Sequence, residues 1–269
     1  MDPSLFTAVL GLLLGLAAAH GSPPERSHDE GVKTKELGRS DITSKILEAN
    51  KGMDHMLVEG DVLLPKKRNA MKCWRNYCKW PKSANGLVEV PYTISDYFYD
   101  YEKAQIERAM RSFHTRTCVR FVPRSGQSDY LSIESKLGCY STLGRAGGRQ
   151  ELSLSVSGCV HHGIVQHELL HALGFHHEHT RSDRDRYVTI HWENISSATA
   201  YNFHKANTNN LNTPYDYSSI MHYGRTAFAS EYGAETITPI PDGSVQIGQR
   251  DDMSDIDVLR VNRLYGCRV

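Results

Sequence analysis

The sequence predicts an α+β fold in two lobes: a twisted sheet carrying two long helices, then a loop-rich lobe closed by a terminal helix. Period-two alternation clusters between residues 87 and 156, helical apolar spacing recurs between and after those segments, and periodicity fades from 194 to 245.

Leu87-Val88-Glu89-Val90-Pro91-Tyr92 and Thr117-Cys118-Val119-Arg120-Phe121-Val122 alternate as strands do. So do Tyr130-Leu131-Ser132-Ile133 and Glu151-Leu152-Ser153-Leu154-Ser155-Val156. Between the first two, Ile106, Ala109, Met110 and Phe113 recur at helical spacing after Asp100, the candidate cap. The histidine-rich segment around His167 follows as a second helix. From Asn194 to Val245 the chain is rich in Asn, Thr, Ser, Pro and Gly, which predicts a loop-rich lobe dependent on a disulfide. Asp255 to Tyr265, apolar at Ile256, Leu259, Val261 and Leu264, reads as a helix stopped by Gly266.

Two segments of different character come first. Leu5 to Ala19 is an almost unbroken apolar run, short for a bilayer and ending in Ala17-Ala18-Ala19. Residues 1–19 are therefore expected to be a secretory signal, although Met1-Asp2-Pro3-Ser4 supplies no Lys or Arg. Gly21 to Lys51 is polar, with Pro23-Pro24 and only a weak helical pattern at Ile42, Ile46 and Leu47, so it cannot supply a core of its own. It leads to Leu63-Leu64-Pro65-Lys66-Lys67-Arg68-Asn69, whose basic run predicts cleavage after Arg68 by an activating protease; a solvated charge cluster in a linker is the alternative. The expected plan is a signal over 1–19, a propeptide over 20–68 and one folded domain over 69–269. No later stretch is apolar and long enough to span a membrane.

The 31 Lys and Arg balance 31 Asp and Glu among 269 residues, so charge gives no reason to expect a nucleic-acid or anionic membrane partner. A charged fraction of 23% with 9% aromatics excludes a disordered chain. All six cysteines (Cys73, Cys78, Cys118, Cys139, Cys159, Cys267) follow residue 72, and none forms a C-x-x-C pair. That pattern fits three disulfides in an oxidising compartment better than a Cys-ligated metal. Spacing leaves many pairings open; it favours Cys73 with Cys78 and Cys139 with Cys159, which would leave Cys118 with Cys267.

The unusual composition is histidine. Of 14 in the chain, His161, His162, His167, His171, His176, His177 and His179 fall in one short stretch. On a helix, His167 and His171 lie about 40° apart and one turn apart, so both imidazoles can reach one ion. His177 would face about 240° away if the helix continued, so the helix must stop, and Gly174 is where a left-handed residue could end it. Glu168 sits beside the first ligand and can take a proton from water that zinc acidifies to a pKa of about 7. Three ligands, an open position and a placed carboxylate make a hydrolytic site rather than a structural one. His161, His162, His176 and His179 have no required place in that geometry and read as surface or supporting residues; His191 and His204 are unassigned.

The pattern His167-Glu168-x-x-His171-x-x-Gly174-x-x-His177, with the later Ser219-Ile220-Met221-His222-Tyr223, is the metzincin signature. With Glu178, the run His179-Thr180-Arg181-Ser182-Asp183-Arg184-Asp185 and Tyr215-Asp216-Tyr217, the chain resembles the astacin family of zinc endopeptidases over about residues 57 to 269. The resemblance implies a two-lobed metzincin protease with a mostly parallel sheet and one catalytic zinc ion on His167, His171 and His177. It implies Glu168 and Tyr223 as catalytic groups, Met221 as the floor under the metal, and Glu178 as the contact for the new N-terminus, here Asn69. The family's disulfides map onto Cys118 with Cys267 and Cys139 with Cys159.

Family precursors block the zinc with an aspartate in a Phe-x-Gly-Asp segment. Val58-Glu59-Gly60-Asp61 matches it with valine for the aromatic residue, which makes Asp61 the candidate blocking ligand. The extra Cys73 and Cys78, in Asn69-Ala70-Met71-Lys72-Cys73-Trp74, resemble the six-cysteine astacins of fishes, which include hatching enzymes. The resemblance thus implies a secreted, monomeric zymogen, stored in secretory granules, whose protein substrates are egg-envelope glycoproteins. A six-cysteine astacin of adult tissue with another substrate is one alternative. A non-catalytic, zinc-stabilised envelope-binding protein is the other, and it predicts decay of a catalytic set that is present in full. Asn194-Ile195-Ser196 is a sequon, so Asn194 is a candidate glycosylation site.

Overall fold

The computed structural model describes residues 41–63, 77–249 and 251–268, which fall in one compact unit. The expected signal, the Arg68–Asn69 cleavage point and Cys73, with its expected pairing to Cys78, lie outside the described residues.

The chain opens with α1 (Ile42–Ala49), capped by Asp41, whose carboxylate accepts from the Ser44 amide at 2.7 Å. Its weak apolar pattern suffices because Ile42 and Ile46 are buried in the main core rather than in one of their own. The hairpin β1 (Leu57–Val58) and β2 (Val62–Leu63) follows. Then come β3 (Val88–Ile94), α2 (Asp100–Arg116), β4 (Val119–Pro123), β5 (Tyr130–Glu134), β6 (Cys139–Ser141), β7 (Arg149–Leu154) and α3 (His162–Leu173). Strands β1 to β7 form one sheet in the order β1-β2-β6-β7-β5-β3-β4. Four of its pairings are parallel; β1 with β2 and β6 with β7 are antiparallel.

Two helices cover one face of the parallel strands, while the other face leaves Glu89 exposed. Val88, Val90, Leu131, Ile133 and Leu152 share a core with Ile106, Met110 and Phe113 of α2 and Ile164, Leu169 and Leu170 of α3. Helix α2 begins at Asp100, so the cap is Tyr99, one residue earlier than expected; the Tyr99 amide donates to the Glu102 carboxylate at 2.8 Å. Asp100 instead places its charge in the first turn, where the helix dipole favours it.

The second part contains short 3₁₀ turns and the two-stranded β8 (Val188–Ile190) and β9 (Ile237–Pro239), closed by α4 (Asp255–Tyr265), which ends at Gly266 with φ 59°. The expectation that segment 194–245 depends on a disulfide is corrected: it contains no cysteine. Its cohesion comes from a second apolar cluster of Val188, Ile195, Phe203, Tyr215, Tyr223, Ala227 and Ile237. Disulfides Cys118–Cys267 and Cys139–Cys159 instead tie the start of β4 to the end of α4 and β6 to the approach to α3. Tyr265 Oη and Trp80 Nε1 donate to the Leu173 and Ala172 carbonyls, both at 2.9 Å, satisfying acceptors left open at the end of α3.

Candidate metal centre

Helix α3 is buried from Gly163 to Leu173 and carries His167 and His171 one turn apart, with ring centroids 4.8 Å apart. Gly174 stops it at φ 104°, where the Gly174 and Phe175 amides bond back to the His171 and Leu170 carbonyls at 2.8 and 3.0 Å. The chain reverses and brings the His177 ring within 5.0 and 4.7 Å of the other two.

Each imidazole has one nitrogen committed. Nδ1 of His167 donates to the Ile220 carbonyl at 2.9 Å, Nδ1 of His171 to the Phe175 carbonyl at 2.7 Å, and Nδ1 of His177 to the Glu59 carboxylate at 3.0 Å. The proton is thereby assigned to Nδ1 in all three, and three Nε2 lone pairs face one another. The Asp61 carboxylate meets them at 3.0 Å from His167, 3.1 Å from His171 and 3.4 Å from His177. All four ligand atoms lie within 4.8 Å of one another and are buried. Four acceptors converging out of water repel unless a cation lies among them, and three imidazoles with one carboxylate suit zinc. His171 Nε2 and Asp61 Oδ1 find no hydrogen-bond partner among the described residues, which fits atoms shaped for an ion.

Glu168 is fully buried, and neither of its oxygens has a hydrogen-bond partner among the described residues. Burial first, and the Asp61 charge second, push its pKa well above the ordinary carboxylate value.

The turn Ser219–Tyr223 braces the site from below. Ser219 Oγ and the Ile220 amide both donate to the Asp257 carboxylate of α4, at 2.6 and 3.0 Å, and the Ile220 carbonyl holds His167. Met221 is buried in the main core, and its carbonyl accepts from the Glu178 amide at 2.9 Å. Tyr223 stacks on His179 with centroids 3.7 Å apart, and its hydroxyl donates to the Glu59 carbonyl at 2.5 Å. Burial, with Asp61 and Glu59 adding to it, pushes the Tyr223 pKa well above the usual phenol value.

Glu178 is buried and fully engaged: Arg260 donates to it at 2.6 and 2.8 Å, the Asp216 amide at 2.7 Å and Arg181 at 3.4 Å. Asn194 is half-buried, with its amide donating to the Glu235 carbonyl at 2.7 Å.

Of the two roles expected for these histidines, surface or supporting, His179 and His176 take the second. His179 is not a surface residue; it is fully buried beneath Tyr223, and burial holds its pKa well below the usual imidazole value. His176 is partly exposed but bonds the Glu59 carboxylate at 2.6 Å. His161 is exposed and His162 half-buried, as expected. Sequence reasoning missed Glu59, Arg260 and Asp257 altogether. The proximity of Glu59 to Asp61 in one turn was its only signal; Arg260 and Asp257 stand one helical turn apart on α4, a spacing that says nothing of their partners.

Residues 74–266 match the peptidase family Astacin. The chain belongs to the astacin family. It is 60% identical over 228 residues to High choriolytic enzyme 1 of Oryzias latipes, covering 85% of this chain and 84% of that protein. It is 50% identical over 266 residues to the Low choriolytic enzyme of the same fish, covering 97% of each. Among solved structures, High choriolytic enzyme 1, a hatching enzyme zinc-protease, superposes with a TM-score of 0.72 at 62% identity over 74% of this chain and 100% of that one. Myroilysin, at 17% identity and a TM-score of 0.52 over 72% of this chain and 98% of the other, shares the fold alone.

As an astacin, the chain is a zinc metalloendopeptidase with an α+β metzincin fold and one catalytic zinc ion, which the His167, His171, His177 and Asp61 cluster is able to hold. No helix among the described residues is long and apolar enough to cross a membrane.

Proposed function

We propose that this astacin is the secreted zymogen of a hatching protease, which digests egg-envelope proteins after cleavage at Arg68 removes residues 20–68. One observation carries the latent state: the Asp61 carboxylate, from the segment to be removed, stands 3.0 to 3.4 Å from all three Nε2 atoms. Similarity to two choriolytic enzymes of a fish supports the substrate class, and the apolar run Leu5 to Ala19 supports secretion.

Bound zinc supplies a Lewis acid to the scissile carbonyl and the attacking water. Glu168 takes the proton from that water as it adds to the carbonyl carbon, then delivers it to the leaving nitrogen as the C–N bond breaks. Tyr223 donates its phenolic hydrogen to the carbonyl oxygen as negative charge gathers there. The Ile220 carbonyl, in the turn that carries Met221, holds His167 in place. In the precursor, Asp61 occupies the position a peptide carbonyl needs, and the Tyr223 hydroxyl is spent on Glu59. Removal of the segment frees both groups. The new ammonium at Asn69 would then join the buried network around Glu178, which Arg260 and Arg181 hold in the precursor.

Intact precursor, trypsin-treated precursor and the Asp61→Ala precursor should be incubated with isolated egg envelopes and with a denatured protein, with and without a chelator. Envelope protein should be released only after trypsin and only without chelator, whereas Asp61→Ala should cleave the denatured protein before trypsin. Cleavage of the denatured protein with envelopes left intact would overturn the hatching role and favour an adult-tissue substrate.

A further inference from the structure

We infer that Glu59 is a second latency residue, which positions the third metal ligand by supplying a carboxylate that leaves with the propeptide. The inference rests on the reading of residues 20–68 as an inhibitory segment.

The three ligands are not supported alike. His167 and His171 bond to the carbonyls of Ile220 and Phe175, within the region expected to remain after cleavage. His177 takes its partner from the segment to be cleaved: Oε2 of Glu59 accepts from its Nδ1 at 3.0 Å and from its backbone amide at 3.1 Å. Oε1 of Glu59 bonds His176 Nδ1 at 2.6 Å, and the Glu59 carbonyl accepts from Tyr223 Oη. One residue thus touches the third ligand, its neighbour and the catalytic tyrosine. A carboxylate behind a ligating imidazole fixes its tautomer and orientation and raises its basicity, so the precursor grips metal through His177 more firmly than its Nε2 atom alone would.

The backbone supports the same conclusion. Glu59 has φ 51°, a left-handed conformation unusual for glutamate, followed by Gly60 at φ 77°. A side chain at Gly60 would come within 2.6 Å of Leu47 Cδ2 and 3.1 Å of the Phe228 ring, so only glycine brings the turn this close. Such a strained residue persists where its surroundings over-determine it, and here both carboxylate oxygens and the carbonyl are held.

The test uses the full-length precursor loaded with cobalt, comparing wild type, Glu59→Ala, Glu59→Gln, Asp61→Ala and Leu57→Ala, the last loosening the hairpin without touching His177. Trypsin releases the same mature sequence from each, so equal mature activity confirms that each had folded. Glu59→Ala should shift the cobalt absorption spectrum and release metal to a chelator about ten- to a hundredfold faster. Glu59→Gln, which keeps an acceptor for Nδ1, should change less. A Glu59→Ala precursor indistinguishable from wild type, or from Leu57→Ala at equal loss of Tm, would overturn the inference. The Asp61 reading is judged separately, by proteolysis before trypsin: silence of Asp61→Ala alongside the cobalt shift in Glu59→Ala would sink that reading and leave this one standing.

Discussion

A carboxylate buried with no donor for either oxygen is costly to keep, and Glu168 is such a group among the described residues. The proposed role as general base would account for that cost, and Glu168→Gln keeps the shape while removing the basicity. The variant should retain one zinc per chain and lose about 10²- to 10⁴-fold in kcat/KM after trypsin activation; near-normal turnover on a denatured protein would sink the role. Away from the metal, Asp183 is held below the usual carboxylate range chiefly by the Arg181 guanidinium, at 2.9 Å to each oxygen, which outweighs the opposing effect of burial. Its folded pKa is depressed, so its contribution is complete above the unfolded value of about 4 and is lost as pH falls through the lower folded value. The Tm deficit of Asp183→Asn should therefore be full at pH 7 and shrink below about pH 4; a deficit that does not vary with pH would contradict this. At this scale the ligands were legible because helical periodicity converts the spacing of His167 and His171 directly into geometry. Glu59, His179 and Arg260 were not, because their roles are contacts with residues distant in sequence, and no local pattern encodes these.

Among the elements, the stop of α3 matters most to the site. A Cβ at Gly174 would find its nearest neighbour, the Gly144 Cα, at 3.8 Å, so space is available and the cost of a side chain is conformational. Gly174→Ala should destabilise the precursor by about 1–2 kcal/mol. Because His177 lies three residues on, zinc should raise its Tm by less than it raises that of wild type, which calorimetry with and without metal would measure. Helices α2 and α3, strands β3, β4, β5 and β7 and helix α4 were readable because each is long enough to show its period. Strands β1 and β2 have two residues each, and β6, β8 and β9 three, too few to show alternation. Those short strands are made by their partners: Asn50, at the end of α1, donates to the carbonyls of both Gly60 and Cys139, tying the hairpin to β6.

Across the whole molecule, Cys118–Cys267 joins residues 149 apart in sequence, linking the sheet to the terminal helix whose Asp257 and Arg260 brace the site. Chain-entropy reasoning assigns such a closure about 5 kcal/mol. Changing both cysteines to serine should lower the urea midpoint accordingly, and an unchanged midpoint would show that core packing alone fixes α4. The hairpin carrying Glu59 and Asp61 has a different consequence at this scale. On the proposed reading of Asp61 as a blocking ligand, the carboxylate is tethered to its own site while the chain is intact, so its effective concentration would be set by the connecting segment and dilution of the precursor would not release it. Once the chain is cut, the same contact becomes an encounter between two molecules and weakens with every dilution. Under that proposal, a single cleavage would exchange a concentration-independent brake for one that fades as the protease is diluted.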